Sequence, residues 1–161
     1  MSAPRPSQGN RDPVSLGRDW LPVVVWMAFI FGSSTDAFSS GQTSRFIGPF
    51  LRWLWPGLPD AVVESAVFWI RKVAHVTEYA VLAGLWWRAL RRPVRRDSRP
   101  WNWPIAGQAL LGSALWAAAD EIHQVFTSTR GASGRDVALD AAGAALGLLL
   151  LWRVGVWRGR W

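Results

Sequence analysis

The chain has 161 residues, half of them apolar, with thirteen Trp and one Tyr, and its eighteen Lys and Arg against eleven Asp and Glu give a formal net charge of +7. That length reads as one domain, and no internal repeat is visible. The arginines flank apolar segments instead of lining a polar helix face and no base-reading motif accompanies them, which sets nucleic acid aside, while the absence of cysteine excludes disulfides and thiolate chemistry.

Residues 1–19, rich in Pro, Ser, Gly, Arg and Asp without a hydrophobic period, read as a flexible cytoplasmic tail. Residues 21–31, LPVVVWMAFIF, form the first apolar block and reach the length of a span only with 16–20 and 32–34 at its ends. The competing reading is a cleaved signal sequence, although the long polar segment ahead of the block is atypical for one. In 35–59, Arg52 stands among Phe50, Trp53 and Trp55, a composition suited to a segment lying in the membrane interface or to a loop packed on helix ends.

Residues 60–92 lack Gly and Pro up to Gly84 and read as one long helix, with 61–70 outside the hydrocarbon and 73–87 spanning it. The arginine-rich stretch 88–99 either fixes topology or contacts anionic lipid. A third span, 101–119, opens near Pro104 and continues as helix to Phe126; 127–134 is a loop; a fourth span runs from Asp136 to about Trp157. The expected fold is therefore all-α: a polytopic membrane protein with four transmembrane helices and an interfacial segment between spans one and two. Its transmembrane domain is 20–157, followed by a short basic tail, 158–161.

With four spans, twelve basic residues fall on the side of the termini and six on the other, so the positive-inside rule places both termini in the cytoplasm. Trp20, Trp86, Trp87, Trp101, Trp103 and Trp157 then form an aromatic belt at the cytoplasmic boundary. The polar ends of spans two, three and four converge at the outer leaflet.

There Lys72, His75 and Tyr79 share a helical face, with Glu78 three residues from His75. Asp120 and Glu121 are spaced four and three residues from Gln124, and Asp136, Asp140, Gly143 and Gly147 lie along one stripe. The two glycines permit a close helix crossing, within the chain or in a homo-oligomer. Three readings of the polar residues stay open. They could bind a divalent metal, although His75 and His123 lack zinc-type spacing. They could perform acid and base chemistry on a lipid headgroup, with His75, Glu78, Asp120 or Glu121 as the catalytic group and Lys72 or Arg130 holding phosphate. Or they form a structural network in which Lys72, Arg130 and Arg135 neutralise carboxylates. His123 reads as an interfacial or loop-facing residue, and Ser33 and Ser34 as helix caps more than as a border of the cleft.

The run Lys72-x-x-His75-x-x-x-Tyr79-x-x-Leu82, then Asp120-Glu121-x-x-Gln124-x-Phe126-x-x-x-Arg130, then Asp136-x-x-x-Asp140-x-x-Gly143-x-x-x-Gly147 resembles the VanZ-like family of bacterial membrane proteins over residues 31–149. The resemblance implies action at the cell envelope, since the name-giving member is associated with low-level teicoplanin resistance. It brings no catalytic mechanism and no cofactor. His75 and Tyr79 match the family's polar positions of the second helix, Asp120, Glu121 and Gln124 those closing the third, and Arg130 and Asp136 the outer loop. One departure is that the family commonly has Asn where this chain has Asp140. Lys72, Tyr79, Gln124, Arg130, Asp136 and Asp140 are the residues expected to bind a membrane lipid or a lipid-linked cell-wall precursor.

Overall fold

The computed structural model describes residues 13–34, 40–91, 100–127 and 133–161. Among them are five helices and no strand: α1 (Pro13–Ser33), α2 (Ser40–Leu54), α3 (Asp60–Leu90), α4 (Trp103–Thr127) and α5 (Gly134–Trp157). The all-α expectation holds, with one helix more than the four counted as spans. The helix α1 begins at Pro13, so the end of the stretch read as a tail is helical. Its Asp19 is buried 3.6 Å from the Arg88 guanidinium.

Local chemistry sets the helix ends. The side chain of Asn102 accepts from the Ile105 N–H ahead of α4, and that of Ser133 accepts from the Asp136 N–H at the start of α5. Between α2 and α3 the sequence Pro56-Gly57-Leu58-Pro59 reverses the chain, with Gly57 at φ +96°, a conformation that favours glycine. After α5, Gly159 at φ +62° closes a Schellman motif: its N–H donates to Val156 and that of Arg160 to Gly155.

Helix α3 is the hub, packing against each of the other four. Against α1 the pairs are Asp19 with Arg88, Trp20 with Trp86, and the Trp26 indole with the Glu78 carbonyl, so these helices run antiparallel. Against α5 they are Lys72 with Asp136, His75 with Asp140, Val76 with Gly143 and Ala80 with Gly147, so these run parallel. Helix α4 returns between them, with Glu121 near Ser133 at one end and Trp103 against Trp152 at the other. The four long helices thus alternate in direction. Val23 and Ile30 of α1 are fully buried in one cluster with Tyr79, Leu82 and Ala83, so α1 packs as a member of the bundle.

The shorter α2 packs on the first turns of α3, where Gly48 meets Val63. It leaves Phe46, Phe50, Trp53 and Leu54 exposed, and Arg52 pairs with Asp60 at 2.5 Å. Outward apolar side chains also stud α1, α4 and α5, including Val24, Phe29, Leu111, Leu115, Leu150 and Val154. By length and composition one helix among the described residues, Gly134–Trp157, is long and apolar enough to cross a membrane.

At the end of the bundle that holds the first turns of α1, indoles gather. Trp87 stacks on Trp101 with ring centroids 4.8 Å apart, Trp161 closes on both, and the Arg91 guanidinium lies over Trp87 and Trp161 at 4.8 and 5.0 Å. The Schellman turn brings Trp161, the last residue of the stretch read as a basic tail, back to donate to the Trp152 carbonyl. Trp161→Ala is expected to cost about 1 kcal/mol, the scale of an aromatic contact, as a lower thermal midpoint in detergent; an unchanged midpoint would show the closure carries no stability.

Candidate functional site

The opposite end of the bundle collects the polar side chains. Its outer tier joins α3 to α5. Lys72 forms an ion pair with Asp136, whose carboxylate also stands in the first turn of α5, where the helix dipole favours it. One turn further along α3, His75 Nδ1 lies 3.9 Å from Oδ1 of the buried Asp140. The spacing of these residues along both helices produces the two rungs, because i and i+3 or i+4 positions fall on one face.

The inner tier is centred on Asp120, near the last turns of α4 and only 2% exposed. Its Oδ2 accepts from the Ser34 hydroxyl at 2.5 Å and from the Gln124 amide at 3.1 Å. Its Oδ1 is buried and has no hydrogen-bond partner among the described residues. Glu121, also buried, accepts from the Ser133 N–H at 2.8 Å and so ties the end of α4 to the start of α5. The Tyr79 side chain is wholly buried; its hydroxyl lies within electrostatic reach of Asp120, Asp140, Glu78 and Glu121 and finds no hydrogen-bond partner among the described residues. The Glu78 carboxylate is half-buried and within reach of Asp120, while its backbone carbonyl holds Trp26.

The structure therefore brings Lys72, His75, Glu78, Tyr79, Asp120, Glu121, Gln124, Asp136 and Asp140 to one end of three helices. Arg130 lies outside the described residues. Among the described residues no three His, Asp or Glu side chains are arranged to hold a metal ion. Two readings need correction. Ser34 borders the cleft and donates to Asp120 instead of capping a helix, whereas Ser33 bonds back to the Ile30 carbonyl in its own helix. His123 does not face a loop: its ring packs on Phe31 with centroids 3.9 Å apart, joining α4 to α1.

The glycine stripe serves the same site. A Cβ on Gly143 would stand 2.6 Å from the Val76 carbonyl oxygen and 2.9 Å from its Cα, and one on Gly147 would meet Ala80 at 2.6 and 2.7 Å. Helix α3 occupies the stripe, so a second copy could use it only by prising α3 from α5. The close approach lets short side chains such as Asp136 and Asp140 reach their partners on α3.

The family model described as VanZ/LLP1 matches residues 20–157, from the first turns of α1 to the end of α5. No curated protein and no solved structure gives a significant match.

Proposed function

Since the chain belongs to the VanZ/LLP1 family, we propose that α1, α3, α4 and α5 cross the bacterial inner membrane with both termini in the cytoplasm, and that the polar cleft faces the outer leaflet and binds a lipid-linked headgroup. The convergence of ionisable side chains from three helices at one end of an outwardly apolar bundle carries this reading. Ionisable groups next to hydrocarbon are costly unless they serve a partner or a ligand. The four helices hold 21, 31, 25 and 24 residues, and at 1.5 Å per residue each reaches about 30 Å or more, the thickness of the hydrocarbon core. Their alternating direction leaves Arg18, Arg88, Arg91, Arg153, Arg158 and Arg160 at the end away from the cleft, which supports the orientation expected from the positive-inside rule.

The consequence for the cell would be altered susceptibility to envelope-directed glycopeptides such as teicoplanin, or to lipopeptides, through the lipid the cleft holds. An integral-membrane hydrolase or transferase acting on a phosphate-containing headgroup is the second reading, favoured by the proximity of His75 to Asp140, which could position the imidazole as a base. Assembly with another helix through Gly143 and Gly147 has less support, because α3 fills that stripe.

Native mass spectrometry of the purified protein with a panel of envelope lipids tests the binding reading. A headgroup-selective adduct is expected, weakened roughly tenfold in Asp120→Asn and in His75→Ala, the worth of about one charge-assisted hydrogen bond. Identical spectra for the three proteins would reduce the cleft to a structural network.

A further inference from the structure

We propose that the inner tier of the cleft is built for the primary ammonium of a zwitterionic lipid headgroup, with the Tyr79 hydroxyl oxygen and Asp120 Oδ1 as its hydrogen-bond acceptors. The inference rests on the headgroup-binding reading and names the chemistry that reading leaves open. Two buried polar atoms carry it: the hydroxyl of Tyr79, 0% exposed, and Oδ1 of Asp120, 2% exposed, neither with a hydrogen-bond partner among the described residues. A buried polar atom without a partner costs of order 1–3 kcal/mol, and native structures seldom keep one without a use. Here two occur at the same end of the bundle, within electrostatic reach of each other.

The charges around them select the ligand. In the outer tier the ammonium of Lys72 is engaged by Asp136, and His75 stands beside Asp140. Further in, Glu78, Asp120, Glu121 and Asp140 all lie within electrostatic reach of Tyr79. Among the described residues the hydrogen-bond donors to this tier are the Ser34 hydroxyl and the Gln124 amide on Oδ2 of Asp120, and the Ser133 N–H on Glu121, while His123 lies within electrostatic reach of Asp120. What the inner tier has to spare is therefore acceptor capacity and negative charge. A phosphate would bring only further acceptors and like charge. A primary ammonium brings three donors, no acceptor and a positive charge, and can donate to the phenolic oxygen and to the carboxylate oxygen together.

A quaternary ammonium fits less well. It has no N–H to donate to Tyr79 or to Oδ1 of Asp120, and its recognition relies on a cage of aromatic faces. The ligand class is a headgroup ending in a primary amine, as in phosphatidylethanolamine.

The test is binding of phosphatidylethanolamine, phosphatidylcholine and phosphatidylglycerol with matched acyl chains to the full chain by native mass spectrometry, with ethylammonium as a tail-less arm, for wild type, Tyr79→Phe and Asp120→Asn. Phosphatidylethanolamine is expected to bind about tenfold more tightly than phosphatidylcholine, and each variant to lose about that factor. Tyr79→Phe keeps the ring and removes only the unpartnered hydroxyl, so the lipid-free variant is expected to melt at or above the wild-type midpoint; a lower midpoint would show the hydroxyl to be a structural contact and overturn the inference. Equal binding of the ethanolamine and choline lipids overturns it, as does an ethanolamine preference unchanged in Tyr79→Phe. A phosphatidylglycerol adduct lost in Asp120→Asn overturns the ammonium assignment while the headgroup reading stands. Ethylammonium binding lost in Tyr79→Phe without any lipid preference keeps the ammonium site and overturns its lipid source; no selectivity in any arm overturns both this inference and the headgroup reading.

Discussion

Replacing Gly147 by Leu is expected to abolish the folded bundle, and Gly143→Ala to lower its stability by about 2 kcal/mol. The cause is backbone against backbone. Even one added carbon at Gly147 would stand 2.7 Å from the Ala80 Cα, and at Gly143 2.9 Å from the Val76 Cα, separations real side chains do not adopt. A flexible neighbour could swing aside, but a helix backbone can yield only by moving the helix. Because α3 carries Lys72 and His75 and α5 carries Asp136 and Asp140, that movement also pulls apart both rungs of the cleft. Gly84→Ala is the control. An added carbon there meets nothing within 4 Å, and the gain in helix propensity is expected to raise stability by up to ~1 kcal/mol. Thermal unfolding in detergent, with size-exclusion profiles, checks all three; a monodisperse Gly147→Leu protein melting like wild type would mean that α3 and α5 do not cross here.

The long helices were legible in the sequence because each carries an apolar run, and α3, α4 and α5 also have end signals. Pro59 stands ahead of α3, Asn102 and Ser133 cap α4 and α5, and Gly159 follows α5. The shared faces of the site were legible for a related reason: helical spacing alone places Lys72, His75 and Tyr79 on one side of α3. Helix α2 was legible only as an interfacial or loop segment. Gly41, Gly48 and Pro49 depress its intrinsic propensity, and it is held by packing on α3, at Gly48 and Val63.

Contacts between distant helices were the least visible. Ser34 and Asp120 are 86 positions apart, and nothing in either neighbourhood marks them as partners; only the parallel run of α1 and α4 brings them together. The same holds for His123 on Phe31. Gly143 and Gly147 announced a close crossing, but small residues do not say which helix they admit, and the structure gives that place to α3. At the other end, residues 158–161 look like a charged tail because Arg158 and Arg160 dominate them, whereas Gly159 turns the chain so that Trp161 packs among indoles.

Lys72→Met is expected to destabilise the protein by about 2 kcal/mol, and adding Asp136→Asn is expected to recover most of that loss. The ion pair they form is neither a surface pair nor a fully buried one, with side chains 22% and 32% exposed. Its worth therefore falls between the 1 kcal/mol or less of exposed pairs and the roughly 3–5 kcal/mol lost when one partner of a buried pair is removed. Most of the single-variant loss comes from the carboxylate left behind, since the N-terminal dipole of α5 offsets only part of a stranded charge. Neutralising Asp136 as well removes that charge and leaves a short amide of similar size at the same turn. A double-mutant cycle on thermal unfolding gives the coupling directly, and a single variant as stable as wild type would show that Lys72 is held for a ligand and not for the fold. Either way Lys72 stays central, because the His75 and Asp140 rung lies one turn beyond it on the same two helices.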